Sequence, residues 1–197
     1  NARVSGSIRV GGREMTGLGE DALRRIRGDQ VAMILQDPSA SLDPTWPVGD
    51  QVAETIRAHR SVSAREAKAR AIALMADVGI NDAAARYRDV PHRFSGGQRQ
   101  RIVIAAALAN DPRLLIADEP TTALDVTIQA QVLQLIDRLR REHGTTVLLI
   151  THDLGVVATV CDRVGIMYGG RLLETLAASA LFTAASHPYT RALIASR

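Results

Sequence analysis

The stretch Leu114-Leu115-Ile116-Ala117-Asp118-Glu119 is an apolar run that ends in two adjacent acidic residues. Such a run is typical of a parallel strand covered on both faces, which we expect over Arg113–Ala117. Ligands of open α/β sheets bind at the carboxyl ends of the strands, where these two acids lie. Because successive strand residues point opposite ways, one carboxylate can hold Mg²⁺ while the other orients a nucleophilic water. The alternative is a solvated strand end.

A second stretch, Ser95-Gly96-Gly97-Gln98, precedes an apolar helical pattern that continues to Asn110. Ser95 is a favourable N-cap, and two glycines allow the backbone to approach a ligand closely. The free N–H groups and the helix dipole at this end would then face an anion such as phosphate. The alternative is a flexible loop that leads into a capped helix.

Two more polar residues follow apolar strand patterns. Gln36 follows the pattern Gln30–Leu35, and His152 follows the pattern Thr145–Ile150. If these strands are parallel to the first one, both residues lie at the same sheet edge as the two acids, where His152 could bond a phosphate oxygen. A lone histidine or glutamine can equally have a structural role.

The rest of the chain alternates between strand and helix patterns, which predicts a parallel-sheet core with an inserted helical lobe around residues 48–110. Gly11-Gly12 and Gly169-Gly170 predict hairpin turns, and Ser63 with Glu66 predicts a capping box. Asp37–Pro47 is expected to be a loop. The predicted helices are Leu18–Ile26, Val48–His59, Ser63–Val78, Gly96–Asn110, Val126–Glu142 with Val126 on its apolar face, and Asp153–Val160; the last two predicted strands are Arg163–Met167 and Arg171–Leu173.

Composition excludes several classes of protein. With 197 residues, 46% of them hydrophobic, the chain can bury a sizeable core and is too apolar to be disordered. The longest apolar run, Ile102–Ala109, is too short to span a membrane, and the single cysteine, Cys161, excludes an internal disulfide. A net charge of +3 does not indicate nucleic acid. The basic cluster Arg93, Arg99 and Arg101 has no aromatic ladder, so we expect a solvated or interface helix face and no nucleic-acid partner.

Taken in chain order, these features resemble the nucleotide-binding subunit of ATP-binding cassette (ABC) transporters. Gln36 resembles the Q-loop glutamine, Phe94-Ser95-Gly96-Gly97-Gln98 resembles the signature motif usually written LSGGQ, and Leu114–Asp118 is similar to the Walker B strand. Glu119 then matches the catalytic glutamate, Ala123-Leu124-Asp125 the D-loop, and His152 the switch histidine.

Other segments resemble the oligopeptide, dipeptide and nickel importer branch of these transporters. They are Gln36-Asp37-Pro38 with Ser41-Leu42-Asp43-Pro44, Asp125-Val126-Thr127-Ile128-Gln129-Ala130-Gln131, and His187-Pro188-Tyr189-Thr190, which resembles the start of that branch's C-terminal extension.

The sequence departs from the family pattern at two points. Phe94 replaces the usual leucine, a mild change at a position that needs an apolar anchor. More severely, the chain has no GxxxxGK[ST] phosphate loop (Walker A), and its only lysine, Lys68, lies in an alanine-rich helical pattern. In this family the loop precedes the Q-loop segment, so we expect a chain truncated at its N-terminus, with Walker A upstream of Asn1. The marked excess of arginine over lysine suggests a GC-rich bacterial genome.

The resemblance implies a P-loop NTPase-type (RecA-like) α/β fold: a parallel-sheet core with an inserted α-helical subdomain, incomplete at the N-terminus. The expected divisions are a core lobe over 1–47, the helical subdomain with the signature motif over 48–110, the second part of the core over 111–173, and the start of a C-terminal extension over 174–197.

The resemblance also implies a head-to-tail dimer in which each ATP lies between two subunits. Catalytic roles fall on Glu119, His152 and Gln36, Mg²⁺ binding on Asp118 and Gln36, and the dimer contact on Asp125. Nucleotide binding falls on the signature residues Ser95, Gly96, Gly97 and Gln98.

The implied protein is the ATP-hydrolysing subunit of an importer, which we expect to carry peptides. Its cofactors are ATP and Mg²⁺. Its partners are a second ATP-binding subunit, in a homo- or heterodimer, transmembrane permease subunits and a separate substrate-binding protein. It is expected at the cytoplasmic face of a bacterial membrane. The alternatives are a soluble ABC-type ATPase of DNA repair or translation and a catalytically inactive fragment.

Overall fold

The computed structural model describes residues 4–122 and 124–196. Its strands are β1 (Arg9–Val10), β2 (Arg13–Glu14), β3 (Val31–Ile34), β4 (Leu114–Asp118), β5 (Thr146–Ile150), β6 (Arg163–Tyr168) and β7 (Arg171–Ala177). Its α-helices are α1 (Glu20–Ile26), α2 (Pro38–Ser41), α3 (Val48–Arg57), α4 (Ala64–Asp77), α5 (Ala83–Arg86), α6 (Gly96–Leu108), α7 (Val126–His143), α8 (Leu154–Val160), α9 (Leu181–Ala184) and α10 (Pro188–Ala195). The chain forms two compact units, Asn1–Ile150 and Thr151–Arg197.

The first unit is built on a parallel sheet with the strand order β3-β4-β5, as the sequence predicts. One sheet face, which carries Ile34 and Leu115, is buried in the main core. The opposite face carries Met33, which is 47% exposed, and Leu148, which is 52% exposed. The residues of strand β4 alternate between buried and half-buried, so the expected cover on both faces is complete on one face and partial on the other.

Helices fill the connection between β3 and β4, where the sequence predicts an inserted helical lobe. Helices α3, α4 and α6 pack against one another, and Val52, Met75 and Ile102 are among the side chains that they bury together. Both α4 and α6 begin at a serine with a complete capping box. Among the described residues, no helix is both long and apolar enough to cross a bilayer.

Asn110 and Asp111, between α6 and β4, tie these helices to the sheet. The Asn110 amide donates to the carbonyl oxygens of Gly28 and Thr55 at 3.1 and 2.9 Å. The Asp111 carboxylate accepts from Arg70 of α4 at 2.7 Å and lies 3.0 Å from His143 Nδ1 at the end of α7. A buried amide and one shared carboxylate therefore join the segment before β3 to helices α3, α4 and α7 at this point.

The structure corrects several predicted elements. Asp37–Pro47 is not entirely a loop, because the Asp37 side chain accepts from the Ser39 N–H and Pro38 starts the short helix α2. Helix α5 was not predicted, since four residues are too few for a periodic pattern. Val126 is 84% exposed at the start of α7 and does not belong to the core.

The second unit contains the predicted hairpin at Gly169-Gly170. Strands β6 and β7 pair antiparallel, with an irregularity between Ile166 and Met167, and β7 continues beyond its expected end. Val164 and Leu181 belong to its own small core, against which Cys161 packs. The domain boundaries inferred from the resemblance stay predictions.

Candidate active site

Gln36 and Glu119 meet at the carboxyl edge of the sheet. Because Ile34 pairs with Ala117 in the parallel register, the residues two positions further along each strand are also neighbours. The Gln36 Nε2 donates to Glu119 Oε2 over 3.0 Å, across 83 residues of sequence. The prediction that strand order brings these two residues together is confirmed.

The Glu119 backbone adopts a left-handed conformation with φ of 44°, which is uncommon for a residue with a long side chain. Its N–H donates to the carbonyl oxygen of Ile150 at 2.9 Å, which joins the end of β4 to the end of β5. The Thr122 hydroxyl donates to the same carboxylate oxygen that Gln36 contacts, over 2.8 Å. A strained backbone and two side-chain donors therefore position this carboxylate, and such strain is often concentrated at functional sites.

Asp118 is the last residue of β4, where it pairs with Ile150 of β5 and is half-buried. The described residues contain no cluster of three or more histidine, cysteine or acidic side chains that could hold a metal ion. Mg²⁺ rarely needs such a cluster, because one or two carboxylates and the phosphates of its substrate complete its coordination. Asp118, Glu119 and the amide oxygen of Gln36 are hard oxygen donors that fit this requirement.

Ser95 caps helix α6, as predicted. Its hydroxyl accepts from the Gln98 N–H at 3.3 Å, and its own N–H donates to the Gln98 side-chain oxygen at 3.0 Å. Both side chains thus form the cap, and Ser95 is exposed. The role of this helix end in phosphate binding stays a prediction.

Gly97 has a packing role that the sequence did not reveal. A Cβ atom at this position would lie 2.6 Å from Cγ2 of Ile128 on helix α7, whereas at Gly96 the nearest neighbour would be Leu124 at 3.8 Å. The second glycine therefore allows the first turn of α6 to contact α7 closely. Nothing in the local spacing signals this contact, because its partner lies 31 residues away.

Asp125 caps helix α7. Its carboxylate accepts from the Ile128 N–H at 2.9 Å, and the side chain is exposed. Leu124 and Asp125 are described, while Ala123 of the predicted D-loop lies outside the described residues. The dimer contact proposed for Asp125 stays a prediction.

His152 is the second residue of the second unit, between β5 and α8, and it is exposed. The next residue, Asp153, caps α8 by accepting from the N–H groups of Gly155 and Val156 at 2.8 and 3.3 Å. The capped helix fixes the backbone next to the histidine. Its contact with a phosphate stays a prediction.

The basic residues Lys68, Arg99 and Arg101 contact groups within the chain. The Lys68 Nζ lies 5.0 Å from the centre of the Tyr87 ring. Arg99 and Arg101 are half-buried and donate to the carbonyl oxygens of Phe94 and Val78 at 3.0 and 2.8 Å. Of the two alternatives that we expect for this helix face, solvated or interface, the solvated one is therefore wrong for these two arginines, and the interface one stays a prediction.

The family profile described as ABC transporter matches residues 2–122, more than half of the chain. The chain belongs to the ABC transporter family. This match includes the carboxyl edge with Gln36 and Glu119 and the capped helix that begins after Ser95.

The relatives come from different bacteria. The chain is 50% identical over 191 residues to the oligopeptide transport ATP-binding protein OppD of Bacillus subtilis, and these residues make up 97% of the chain and 53% of that protein. It is 48% identical over 196 residues to OppD of Mycobacterium bovis, and these residues make up 99% of the chain and 32% of that protein. The chain spans 59% of the length of a Brucella abortus relative that is 48% identical to it.

Solved structures of ATP-binding cassettes have the same fold. A dimeric post-hydrolysis state of the cassette MJ0796 bound to ADP and Pi matches with a TM-score of 0.78 and 28% identity, over 88% of this chain and 74% of that one. A second dimeric structure of MJ0796, a bacterial ABC transporter cassette, matches with a TM-score of 0.77 and 29% identity over the same shares. The predicted P-loop NTPase-type fold with an inserted helical subdomain is confirmed.

Proposed function

We propose that the protein carrying this chain is the ATP-binding and ATP-hydrolysing subunit of an importer, and that it drives peptide transport. The observation that carries the proposal is the Glu119 carboxylate, which Gln36 and Thr122 hold at the carboxyl edge of the sheet. Relatives named for oligopeptide transport support the peptide assignment.

In this mechanism Glu119 orients or deprotonates the attacking water. Gln36 holds the Glu119 carboxylate in position and, with Asp118, would hold Mg²⁺, which neutralises charge on the phosphates when it is bound. His152 donates to the γ-phosphate. The strained Glu119 backbone keeps its carboxylate close to the Gln36 amide.

In the proposed dimer, the signature helix α6 contacts the ATP that is bound to the other subunit. Ser95, Gly96, Gly97 and Gln98 contact the γ-phosphate of ATP bound to a second subunit, and Asp125 contacts that subunit. The dimeric cassette structures that this fold matches support a dimer. The proposed subunit docks through its helical lobe on a membrane-embedded permease at the cytoplasmic face, and a separate binding protein delivers the substrate.

An ATPase assay on the protein that carries this chain tests the catalytic roles. We expect Mg²⁺-dependent turnover that falls by at least about a hundredfold in Glu119→Gln and in His152→Ala, because each removes a group that acts on the reacting phosphate or water. Glu142→Gln, which changes an exposed carboxylate on α7, is the matched control and should keep normal turnover. Normal turnover in both site variants would overturn the assignment.

Two further experiments separate the proposal from its alternatives. The 197-residue chain by itself should show no ATPase activity, because it contains no GxxxxGK[ST] loop to grip the phosphates. The protein that carries it should co-purify with two permease subunits from a detergent extract. Recovery on DNA or on ribosomes in place of permease would favour the soluble ATPase of repair or translation.

A further inference from the structure

The chain enters helix α6 without the pair of apolar residues that often fixes the start of a capped helix. In such a pair the residue before the N-cap packs against the fourth residue of the helix. For α6 these positions hold Phe94 and the charged Arg99. In α4 the same two positions hold Val62 and Ala67, which are both apolar. Other contacts must therefore fix the direction in which the chain enters α6.

Arg86, the last residue of helix α5, makes three contacts with this entry segment. Its guanidinium carbon lies 3.9 Å from the centre of the Phe94 ring, an arrangement in which the ring face attracts the cation. Its Nη2 donates to the Arg93 carbonyl oxygen at 2.9 Å, and its Nε donates to Asp89 Oδ2 at 3.2 Å. The Arg86 side chain is only 25% exposed and Phe94 is buried. One planar group therefore holds both residues that precede the N-cap Ser95.

Phe94 transmits this arrangement to the capping box. Its N–H donates to the Pro91 carbonyl oxygen at 3.1 Å, and its own carbonyl oxygen accepts from Arg99 Nη1 at 3.0 Å. That carbonyl and the Ser95 N–H belong to one planar peptide unit, so they turn together. The Ser95 N–H in turn donates to the Gln98 side-chain oxygen at 3.0 Å. The orientation of Phe94 therefore sets that of the first turn of α6.

We propose that Arg86 is a positioning residue for the nucleotide contact of α6, and that it holds the free N–H groups of the first turn towards the phosphate by fixing Phe94. The inference rests on the proposed function, in which α6 contacts the ATP bound to the other subunit. Arg86 acts through Phe94 and is assigned no contact with the nucleotide. Lysine could not replace it fully, because an ammonium has neither a planar face to stack nor a rigid fork of donors.

The test uses the whole protein that carries this chain and compares three quantities. They are the affinity of the single subunit for the non-hydrolysable ATP analogue AMP-PNP, its AMP-PNP-dependent association with the second ATP-binding subunit, and Mg²⁺-dependent ATP turnover. Arg86→Ala should weaken association by at least about fivefold and lower turnover, because the phosphate then meets a helix start that is no longer held in one orientation. The affinity of the single subunit should not change, since α6 contacts only the nucleotide of the other subunit.

Smaller changes separate positioning from folding. Phe94→Leu removes the ring but keeps an apolar side chain, and it should weaken association in the same direction, whereas Arg86→Lys should restore part of what Arg86→Ala loses. In the double variant Arg86→Ala, Phe94→Leu the loss should be smaller than the product of the two single losses, because both changes remove the same stacking contact. Arg93→Ala is the matched control. Its side chain is 66% exposed and pairs with Asp89 at 3.0 Å, as Arg86 does from the other side, so its removal should leave all three quantities unchanged.

The outcomes distinguish this inference from the proposed function. If the wild-type subunits associate and hydrolyse ATP and the Arg86→Ala variant does so equally well, the positioning role fails while the proposed function stands. An equal loss of single-subunit affinity, or two single losses that simply multiply, would show that Arg86 only stabilises the fold and does not act through Phe94. If the wild-type protein neither binds nor hydrolyses ATP, the proposed function fails and this inference fails with it.

Discussion

Helices α4 and α6 begin with the same hydrogen-bonding device, although we assign a function to only one of them. In α4 the Ser63 hydroxyl accepts from the Glu66 N–H, and the Glu66 carboxylate accepts from the Ser63 N–H at 2.8 Å. In α6 Ser95 and Gln98 form the same reciprocal pair. A capping box therefore explains why each helix begins where it does, but it does not make a phosphate site.

The residues inside the two boxes differ in charge and in bulk. Helix α4 has Ala64 and Arg65 in its first turn, and Glu66 completes its capping box. A carboxylate therefore already interacts with the positive end of the helix dipole. Helix α6 has two glycines in the same positions, and the neutral Gln98 completes its capping box. Its positive end is left for an external anion, and its backbone carries no side chain in the way. The neutral Gln98 in the capping box and the two glycines in the first turn distinguish the proposed phosphate site from an ordinary helix start.

Among the changes that test this comparison, the largest expected effect comes from giving the α6 box the acidic residue of the α4 box. Gln98→Glu preserves the box but adds a negative charge where the γ-phosphate would approach. At about 4 Å and an effective dielectric of 20 such repulsion amounts to about 4 kcal/mol, so we expect ATPase turnover of the dimer to fall by at least about tenfold. The measurement is Mg²⁺-dependent turnover at saturating ATP, together with the free energy of unfolding in urea.

The matched variant is Glu66→Gln in α4, which should leave turnover unchanged. The unfolding free energy of Gln98→Glu should stay at or above the wild-type value, because a carboxylate is favourable at a helix N-terminus. If Gln98→Glu keeps normal turnover, the charge difference between the two helix ends has no functional meaning.

The bulk difference gives the next largest effect. Gly97→Ala places a methyl group 2.6 Å from Cγ2 of Ile128, a stiff β-branched side chain, so we expect a loss of about 1–3 kcal/mol in the free energy of unfolding. Gly96→Ala meets its first neighbour only at 3.8 Å and should cost nothing or stabilise by up to about 1 kcal/mol. Urea denaturation of both variants measures the difference.

Ile128→Ala supplies the decisive control for this clash. If the methyl group at position 97 collides with Ile128, the double variant Gly97→Ala, Ile128→Ala should lose less stability than the sum of the two single variants. Simple additivity would mean that Gly97 is not required for contact with α7, and that its place in the first turn reflects only the approach of a ligand.

Local chemistry explains which parts of this comparison the sequence could predict. Both capping boxes were predictable, because a box uses residues only three positions apart. The meeting of Gln36 and Glu119 was predictable too, since residues that follow neighbouring parallel strands share one edge of the sheet. In each case a rule of backbone geometry fixes the contact without knowledge of how helices pack.

Contacts that depend on packing were not predictable. The clash that reserves position 97 for glycine involves Ile128 on another helix, and the clash that reserves position 49 for glycine involves the ring of Tyr87. The left-handed backbone of Glu119 also has no local signal, because glutamate rarely adopts this conformation. Tertiary contacts impose each of these features on residues whose own preferences do not specify it.

The smallest expected effect is a difference in acid sensitivity between the two boxes. The Ser63 hydroxyl, and then its backbone N–H, hold the pKa of Glu66 below its ordinary value. A carboxyl group whose pKa is lower in the folded state stabilises that state above its unfolded pKa of about 4.3 and loses this contribution as the pH falls through the folded value. The first turn of α4 should therefore loosen in acid, whereas Gln98 carries no titrating proton and the α6 box should hold.

Amide NMR shifts of Arg65 and Glu66, followed from neutral pH downward and compared with those of Gly97 and Gln98, measure this difference in acid sensitivity. Glu66→Gln should abolish the α4 response, and equal responses at both helix starts would show that the closing residue does not set the acid sensitivity.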